Sequence, residues 1–421
     1  MFIEPHITLF DLIACLSDAL DLVSPAVVNH HKQVAYIAYS LGKELDLTTA
    51  ERSQLVFAGA LHDIGALSLK ERLDALKFDN ENLHMHAEAG YTLLKTFNPL
   101  ANAASIIRHH HVLWEGGKGS QFKGRPVSIH SHILHLADRI SVLFDPKQDI
   151  SQQVGLIIEK IADQSDKMFI PDLVQAFRSL AVKEYFWLDL SSPSINSVLR
   201  RRVQTNNIDL NMDGLLNVAC LFSQIIDFRS HFTSTHSSGV SACAKAIAHK
   251  VGFSYRECRL IRVAGYLHDL GKLAIPKEIL EKPEKLTPAE FAIIKRHTYY
   301  TYRILESIVD INAISQWAAF HHERLDGNGY PFHLNSSEIP LGSRIMAVAD
   351  VFTAITEDRP YRKGMKDCEV LKILQKMADD SALDSMIVSV VKSNFDDINS
   401  LRKEAELESA NKYRNFLNLE D

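Results

Sequence analysis

Apolar residues recur along most of this chain at the spacing of three to four that an α-helix requires: Val240, Ala244, Ile247 and Val251 in one stretch, and Ile314, Trp317, Ala318 and His321 in another. Such a period lines the apolar side chains along one face, so the pattern predicts amphipathic helices packed on a common core. Alternating β-branched runs bounded by turn residues are almost absent, and strands should be minor. Three short Pro/Gly segments, Leu273 to Pro276, Gly327 to Pro331 and Pro340 to Gly342, read as loops between helices. The expected fold class is all-α. From Leu190 to Asn211 the chain mixes Ser, Pro and Asn with an Arg triplet and loses its period, which suits a connection. That reading puts a boundary near residue 200, with domains at 1–190 and 212–421 and a linker at 191–211. Leu401 to Asp421, charged with a few apolar positions, reads as an amphipathic terminal helix.

The two halves resemble each other. His30 with Val34 matches His236 with Val240, and Leu61-His62-Asp63-Ile64-Gly65 matches Leu267-His268-Asp269-Leu270-Gly271, both at an offset of 206. His86, Gly90 and Leu94 pair with His297, Thr301 and Leu305 at an offset of 211, as does His110-His111 with His321-His322; Ala137-Asp138 pairs with Ala349-Asp350 at 212. Five matches in one order, with a drift that a small insertion in the second copy explains, indicate a tandem duplication of a helical domain.

Composition narrows the function classes. A chain of 421 residues suffices for two or three domains that bury cores without disulfides. Its 46 Lys+Arg against 52 Asp+Glu give a net charge of −6, which argues against binding long nucleic acid on a broad basic surface but leaves room for a small anion in a local basic pocket. Five cysteines (Cys15, Cys220, Cys243, Cys258, Cys368) are odd in number and form no C-x-x-C pair, pointing to a reducing, cytoplasmic location. Residues 1–28 contain Glu4 and Asp11 and no basic leader, so no signal peptide is expected; no charge-free apolar run of about 18 residues predicts a membrane span. The unusual feature is the 20 histidines.

Imidazole and carboxylate are the ligands that borderline divalent ions accept, and an adjacent His-Asp pair can place an imidazole on one ion and a carboxylate across two. In the second half His236, His268, Asp269, His297, His321, His322 and Asp350 supply five imidazoles and two carboxylates, enough for a dinuclear centre with open positions. A lone buried histidine is more often hydrogen-bonded core than ligand; an ordered set occurring twice reverses that judgement.

The order H…HD…H…HH…D resembles the HD superfamily of metal-dependent phosphohydrolases. The string His321-His322-Glu323-Arg324-Leu325-Asp326-Gly327-Asn328-Gly329-Tyr330-Pro331 is similar to the signature of its HD-GYP branch, as are His268-Asp269-Leu270-Gly271-Lys272, Ala349-Asp350-Val351-Phe352 and Asp358-Arg359-Pro360-Tyr361-Arg362. The resemblance is close over about residues 215–395 and looser in the first half. It implies two tandem HD-type helical domains and hydrolysis of cyclic di-GMP or 3',3'-cyclic GMP-AMP to a linear 5'-phosphorylated dinucleotide. Two divalent transition-metal ions (Fe, Mn, Ni, Co or Zn) would acidify a bridging water and bind a phosphate oxygen. Asp269 is the expected bridging carboxylate. Lys272, four residues after His268, should point at the same site and neutralise a non-bridging oxygen. Arg324, Tyr330, Arg359 and Arg362 are the expected substrate contacts, Arg344 being as readily structural. Phe232 stands where some members carry a Glu that holds a third ion, so a two-ion site is expected.

The first half keeps all seven ligand positions, as His30, His62, Asp63, His86, His110, His111 and Asp138. It loses the lysine, replaced by Ala66, and the segment from His110 to Gln121 keeps a glycine turn without Tyr-Pro. The expectation is a degenerate HD domain, with a second metal site, that packs against, steadies or regulates the other half and offers a surface for a homodimer or partner protein. The competing classes are a non-catalytic cyclic-dinucleotide receptor or scaffold, and an HD hydrolase acting on ordinary nucleotides.

Overall fold

The computed structural model describes residues 7–22, 28–66, 68–78, 84–203, 208–228, 234–282, 284–358 and 363–417. They fall into two units, residues 8–209 and residues 210–417 together with Ile7. Both are helical; strands among the described residues are two-residue pieces, such as the antiparallel pair Gln121–Phe122 and Arg125–Pro126 in the first unit. None of the five cysteines is in a disulfide. Among the described residues no helix is long and apolar enough to cross a membrane.

Much of the stretch expected to be a linker, its helical part included, belongs to the first unit. Helix Ile195–Val203 buries Ile195, Val198, Leu199 and Val203 and packs on helices His30–Glu44 and Thr49–Leu61. Its Arg202 reaches Asp189 at 2.8 Å and lies 4.6 Å from the Tyr36 ring centroid. The two units divide after Asp209, within the 191–211 stretch. The helical spacing 195, 198, 199, 203 was hidden by the polar residues around it. The terminal helix likewise starts at Phe395 rather than Leu401 and runs to Leu417, turning Ile398 and Arg402 inward.

The repeat is visible in local chemistry. Helix Thr49–Leu61 opens with a reciprocal cap between Thr48 and Glu51, and helix Tyr255–Leu267 with the same cap between Ser254 and Glu257. Each packs on the helix that begins with the first histidine, His30–Glu44 or His236–Val251. Each ends on the histidine of the His-Asp pair, His62 or His268. The chain then turns against the helix that carries the next histidine. A Cβ on Gly65 would sit 2.1 Å from the His86 carbonyl oxygen, and one on Gly271 2.0 Å from that of His297. Only glycine fits there, which is why the His-Asp pair can approach the third histidine at all.

Candidate metal centre

In the second unit His236 opens helix His236–Val251, His268 ends helix Tyr255–Leu267, His297 lies within helix Pro288–Glu306, His321 and His322 follow helix Asn312–Ala319, and Asp350 lies within helix Leu341–Thr356. The fold brings these six together as two sets whose ligand atoms lie within 4.8 Å of one another: His236, His268 and Asp350, and His297, His321 and His322. Asp269 stands between them, Oδ2 3.2 Å from His268 Nε2 and Oδ1 3.5 Å from His297 Nε2. All are buried except His322, whose side chain is 31% exposed.

The imidazoles are oriented from behind. Nδ1 of His268, His297 and His321 lies 2.8, 2.7 and 2.6 Å from the carbonyl oxygen three residues earlier, which fixes Nδ1 as the donor and leaves Nε2 facing the centre. Burial pushes His297 down to about 3 and lowers His321 and His322, so these rings stand neutral, as ligation requires. Burial would raise Asp269, but His268, Lys272 and His297 hold it well below the usual carboxylate range. Lys272 sits on the short turn Leu270–Ala274, and its Nζ donates to Asp269 Oδ2 at 2.6 Å. Burial opposes its charge, yet Asp269, Asp350 and Asp227 raise it above an ordinary lysine.

The first unit repeats the arrangement. Asp63 lies between His62 (Oδ2 to Nε2, 3.3 Å) and His86 (Oδ1 to Nε2, 3.1 Å). Asp138 Oδ1 faces His30 Nε2 at 3.3 Å, and His111 Nε2 lies 3.0 Å from His86 Nε2. His62 and His110 are anchored through Nδ1 to the Gly59 and Ile107 carbonyls at 2.9 and 2.6 Å. Three overlapping sets, among them Asp63, His86, His110 and His111, have the spacing of a metal site.

The HD domain family matches residues 27–143 and again residues 220–387. A 3'3'-cGAMP-specific phosphodiesterase of Vibrio cholerae, phosphodiesterase 1, is 33% identical over 405 residues, 93% of this chain and 93% of the relative. The chain belongs to the HD-domain family. A cyclic di-GMP phosphodiesterase of Pseudomonas aeruginosa is 42% identical over 142 residues, 34% of either chain. The crystal structure of a V. cholerae cyclic GMP-AMP-specific phosphodiesterase, V-cGAP3, has the same fold, with a TM-score of 0.64 at 23% identity over 93% of this chain and 98% of that one.

HD domains are metal-dependent, and both sites here fit an ion. Buried, with ring–carboxylate contacts but no well-aligned hydrogen bond, are His62 Nε2, Asp63 Oδ1, His110 Nε2 and Asp138 Oδ1 in the first HD domain and His268 Nε2 in the second. Leaving such atoms unserved costs about 1–3 kcal/mol each, so a donor set of this kind is built for a cation.

Two residues of the second HD domain escaped sequence reasoning. Glu357, 3% exposed, places Oε2 3.1 Å from His236 Nδ1, the one second-domain ligand in this role that uses a carboxylate. It stands seven residues, two helical turns, after Asp350, and that spacing was the available signal. Glu323, also buried, accepts from the backbone N–H of Phe332 at 2.7 Å and of Leu334 at 3.0 Å, folding the Gly-Tyr-Pro turn back on its own origin. Gly329 is required in that turn, since a Cβ would meet the Arg324 nitrogen at 2.3 Å.

The turn puts the Tyr330 ring 4.9 Å from that of His322. Arg324 is brought to Asp326 instead, with a 2.6 Å contact on the exposed side. Arg344 is structural, bonded to the Ile339 and Ser336 carbonyls and to Asp384. Asp227 accepts from the Ser237 N–H and hydroxyl at 3.1 and 2.9 Å. Phe232, Arg359 and Arg362 lie outside the described residues.

Proposed function

We propose that the chain is a metal-dependent phosphodiesterase that opens a 3',3'-cyclic dinucleotide to a linear 5'-phosphorylated product in its second HD domain. The observation that carries this reading is the pairing of two ligand sets across Asp269 with Lys272 at 2.6 Å from that carboxylate. Two divalent ions bound there supply an acidified water and charge compensation on the phosphoryl oxygens. His236, His268 and Asp350 would hold one ion, His297, His321 and His322 the other, and Asp269 both. Lys272 is positioned to neutralise a non-bridging phosphate oxygen as charge develops. Tyr330 offers a flat aromatic face beside His322 for a base. Arg359 and Arg362 are the proposed guanidinium contacts; Arg324 would first have to leave Asp326.

The first HD domain is proposed to hold metal without linearising the substrate, because Ala66 stands in place of Lys272 and no Tyr-Pro follows its glycine turn. The full-length relative, matched over both domains, is named for 3'3'-cGAMP, whereas the cyclic di-GMP phosphodiesterase of P. aeruginosa matches about a third of the chain. That favours 3',3'-cyclic GMP-AMP as the preferred substrate. Five cysteines with no disulfide among them suit a reducing cytoplasm.

The test is to load the purified full chain with Fe, Mn or Ni and follow both dinucleotides by chromatography. Linear product, formed faster from 3',3'-cyclic GMP-AMP, is expected. Tight binding with no product from either dinucleotide would replace the enzyme by a receptor. Turnover of dGTP alone would make it an ordinary nucleotide hydrolase.

A further inference from the structure

We propose that the first HD domain carries a ligand site of its own, a cavity beside its His/Asp cluster that takes a nucleoside bearing a single phosphate monoester. The inference rests on the reading of that cluster as a metal site.

The cavity measures about 1010 Å³ and lies wholly within the first domain. This is the upper range for small-molecule sites and ample for a nucleotide. Its floor includes His111, a member of the set Asp63, His86, His110 and His111. A phosphate seated there would meet any bound cation and the ammonium groups of Lys118 and Lys167, both of which line the cavity. The wall also bears Glu115 and Asp166, whose carboxylates oppose a highly charged anion but accept hydrogen bonds from hydroxyls such as those of a ribose. Phe122, stacked on His84 with centroids 4.8 Å apart and planes at 29°, adds a flat aromatic surface for a base.

Two observations separate this cavity from the wreckage of a decayed copy. His135 lines it, is only 3% exposed, and its Nδ1 has no hydrogen-bond partner. A polar atom held in that state is ordinarily served by a ligand or a water. The repeat places Ala347 at the equivalent position of the second domain, and Val351 where the first has Arg139. The first domain thus has polar groups where the second has apolar ones, while it lacks the lysine and the Tyr-Pro turn. Arg139 bonds Asp138 at 2.6 Å and the carbonyls of Ala75 and Lys77 at 2.7 and 2.6 Å, fixing the segment that presents Phe78 to the cavity. The opposite wall is tied by backbone bonds from Glu115 N–H to the Lys167 carbonyl at 2.7 Å and from Gly116 N–H to that of Asp166 at 2.8 Å.

The experiment is calorimetric titration of the Mn-loaded full chain with GMP, guanosine and orthophosphate. GMP should bind at least tenfold more tightly than either of the others. Lys118→Glu with Lys167→Glu, both exposed and safe for folding, and His135→Gln separately, should each weaken GMP at least tenfold. Equal affinity for guanosine or for orthophosphate, or indifference to the substitutions, overturns the site. Metal content of the Asp63→Asn chain tells two failures apart. Unchanged metal overturns the metal reading of the cluster; lost metal, with GMP binding indifferent to the lysine and histidine substitutions, overturns the ligand site alone.

Discussion

In the second domain Asp269 receives the Lys272 ammonium at 2.6 Å; in the first, the residue at that place after Asp63 is Ala66. Arg72, a buried cation whose charge Asp63 supports, is spent on the Ala66 and Leu20 carbonyls at 2.9 Å each. A second contrast lies behind the first histidine. His236 Nδ1 faces the carboxylate of Glu357, and His30 Nδ1 the hydroxyl of Ser141, both at 3.1 Å. A third lies beside the last aspartate, where Arg139 binds Asp138 and the equivalent of Arg139 is Val351. The seven ligand-type side chains are common to both domains, so what differs is the set of charged and polar groups packed around them. Holding a metal and hydrolysing a phosphodiester are, in the proposed function, separable tasks, the first assigned to both domains and the second only to the one that has Lys272.

Removing the ligands themselves should break the comparison most sharply. His268→Ala with Asp269→Ala should lower cyclic-dinucleotide turnover by about 10³-fold or more, since in the proposed function the pair serves both ions. His62→Ala with Asp63→Ala should leave turnover within a factor of about three, because neither residue belongs to the ligand sets of the second domain. Chromatographic rates on both variants check this, and a comparable loss in the first-domain variant would sink the assignment of catalysis to the second.

Next in size is Lys272→Ala, expected to cost about 10²-fold in kcat while the metal content stays, as for loss of one charge-stabilising donor. A loss of metal instead of rate would make Lys272 a partner of Asp269 and nothing more. Smaller again is Glu357→Ala, which should weaken binding of one of the two ions by about 10- to 100-fold. Glu357→Gln, which keeps an acceptor for Nδ1, should fall between, and Ser141→Ala in the first domain should do less, because a neutral hydroxyl adds less basicity to its ring. Metal titration by calorimetry ranks the three.

The ligands were legible because their identity and order are written twice, and because Gly65 and Gly271 mark where backbone must touch backbone. Lys272 is expected one helical turn beyond His268; the helix ends before it, and it reaches the site from the turn Leu270–Ala274 through Asp269. Glu357 was not legible: its partner is 121 residues away, and the contact exists only where helix Leu341–Thr356 meets the start of helix His236–Val251. His135 reads as one more histidine in a helix until the cavity shows what it faces. Helix Ile195–Val203 was missed because nine residues carry too few apolar positions to stand out against Ser, Asn and three arginines.

The last contrast is in acid stability. Burial pushes the His135 imidazole down to about 3, whereas an unfolded histidine titrates near ~6.5. Between those values the unfolded chain binds the proton and the folded one does not. Stability is therefore full above about 6.5 and falls as pH drops through the window, by about 1.4 kcal/mol per unit from this one group. The second domain has Ala347 at that position and carries no such term there. Of the three tryptophans, Trp114 and Trp187 report on the first domain and Trp317 on the second. In a metal-free chain, His135→Gln should move the acid midpoint seen by Trp114 and Trp187, in a Trp317→Phe background, to lower pH. The midpoint seen by Trp317, with the other two replaced by Phe, should stay where it is; a parallel shift in both would mean that the domains unfold as one and that their difference does not extend to stability.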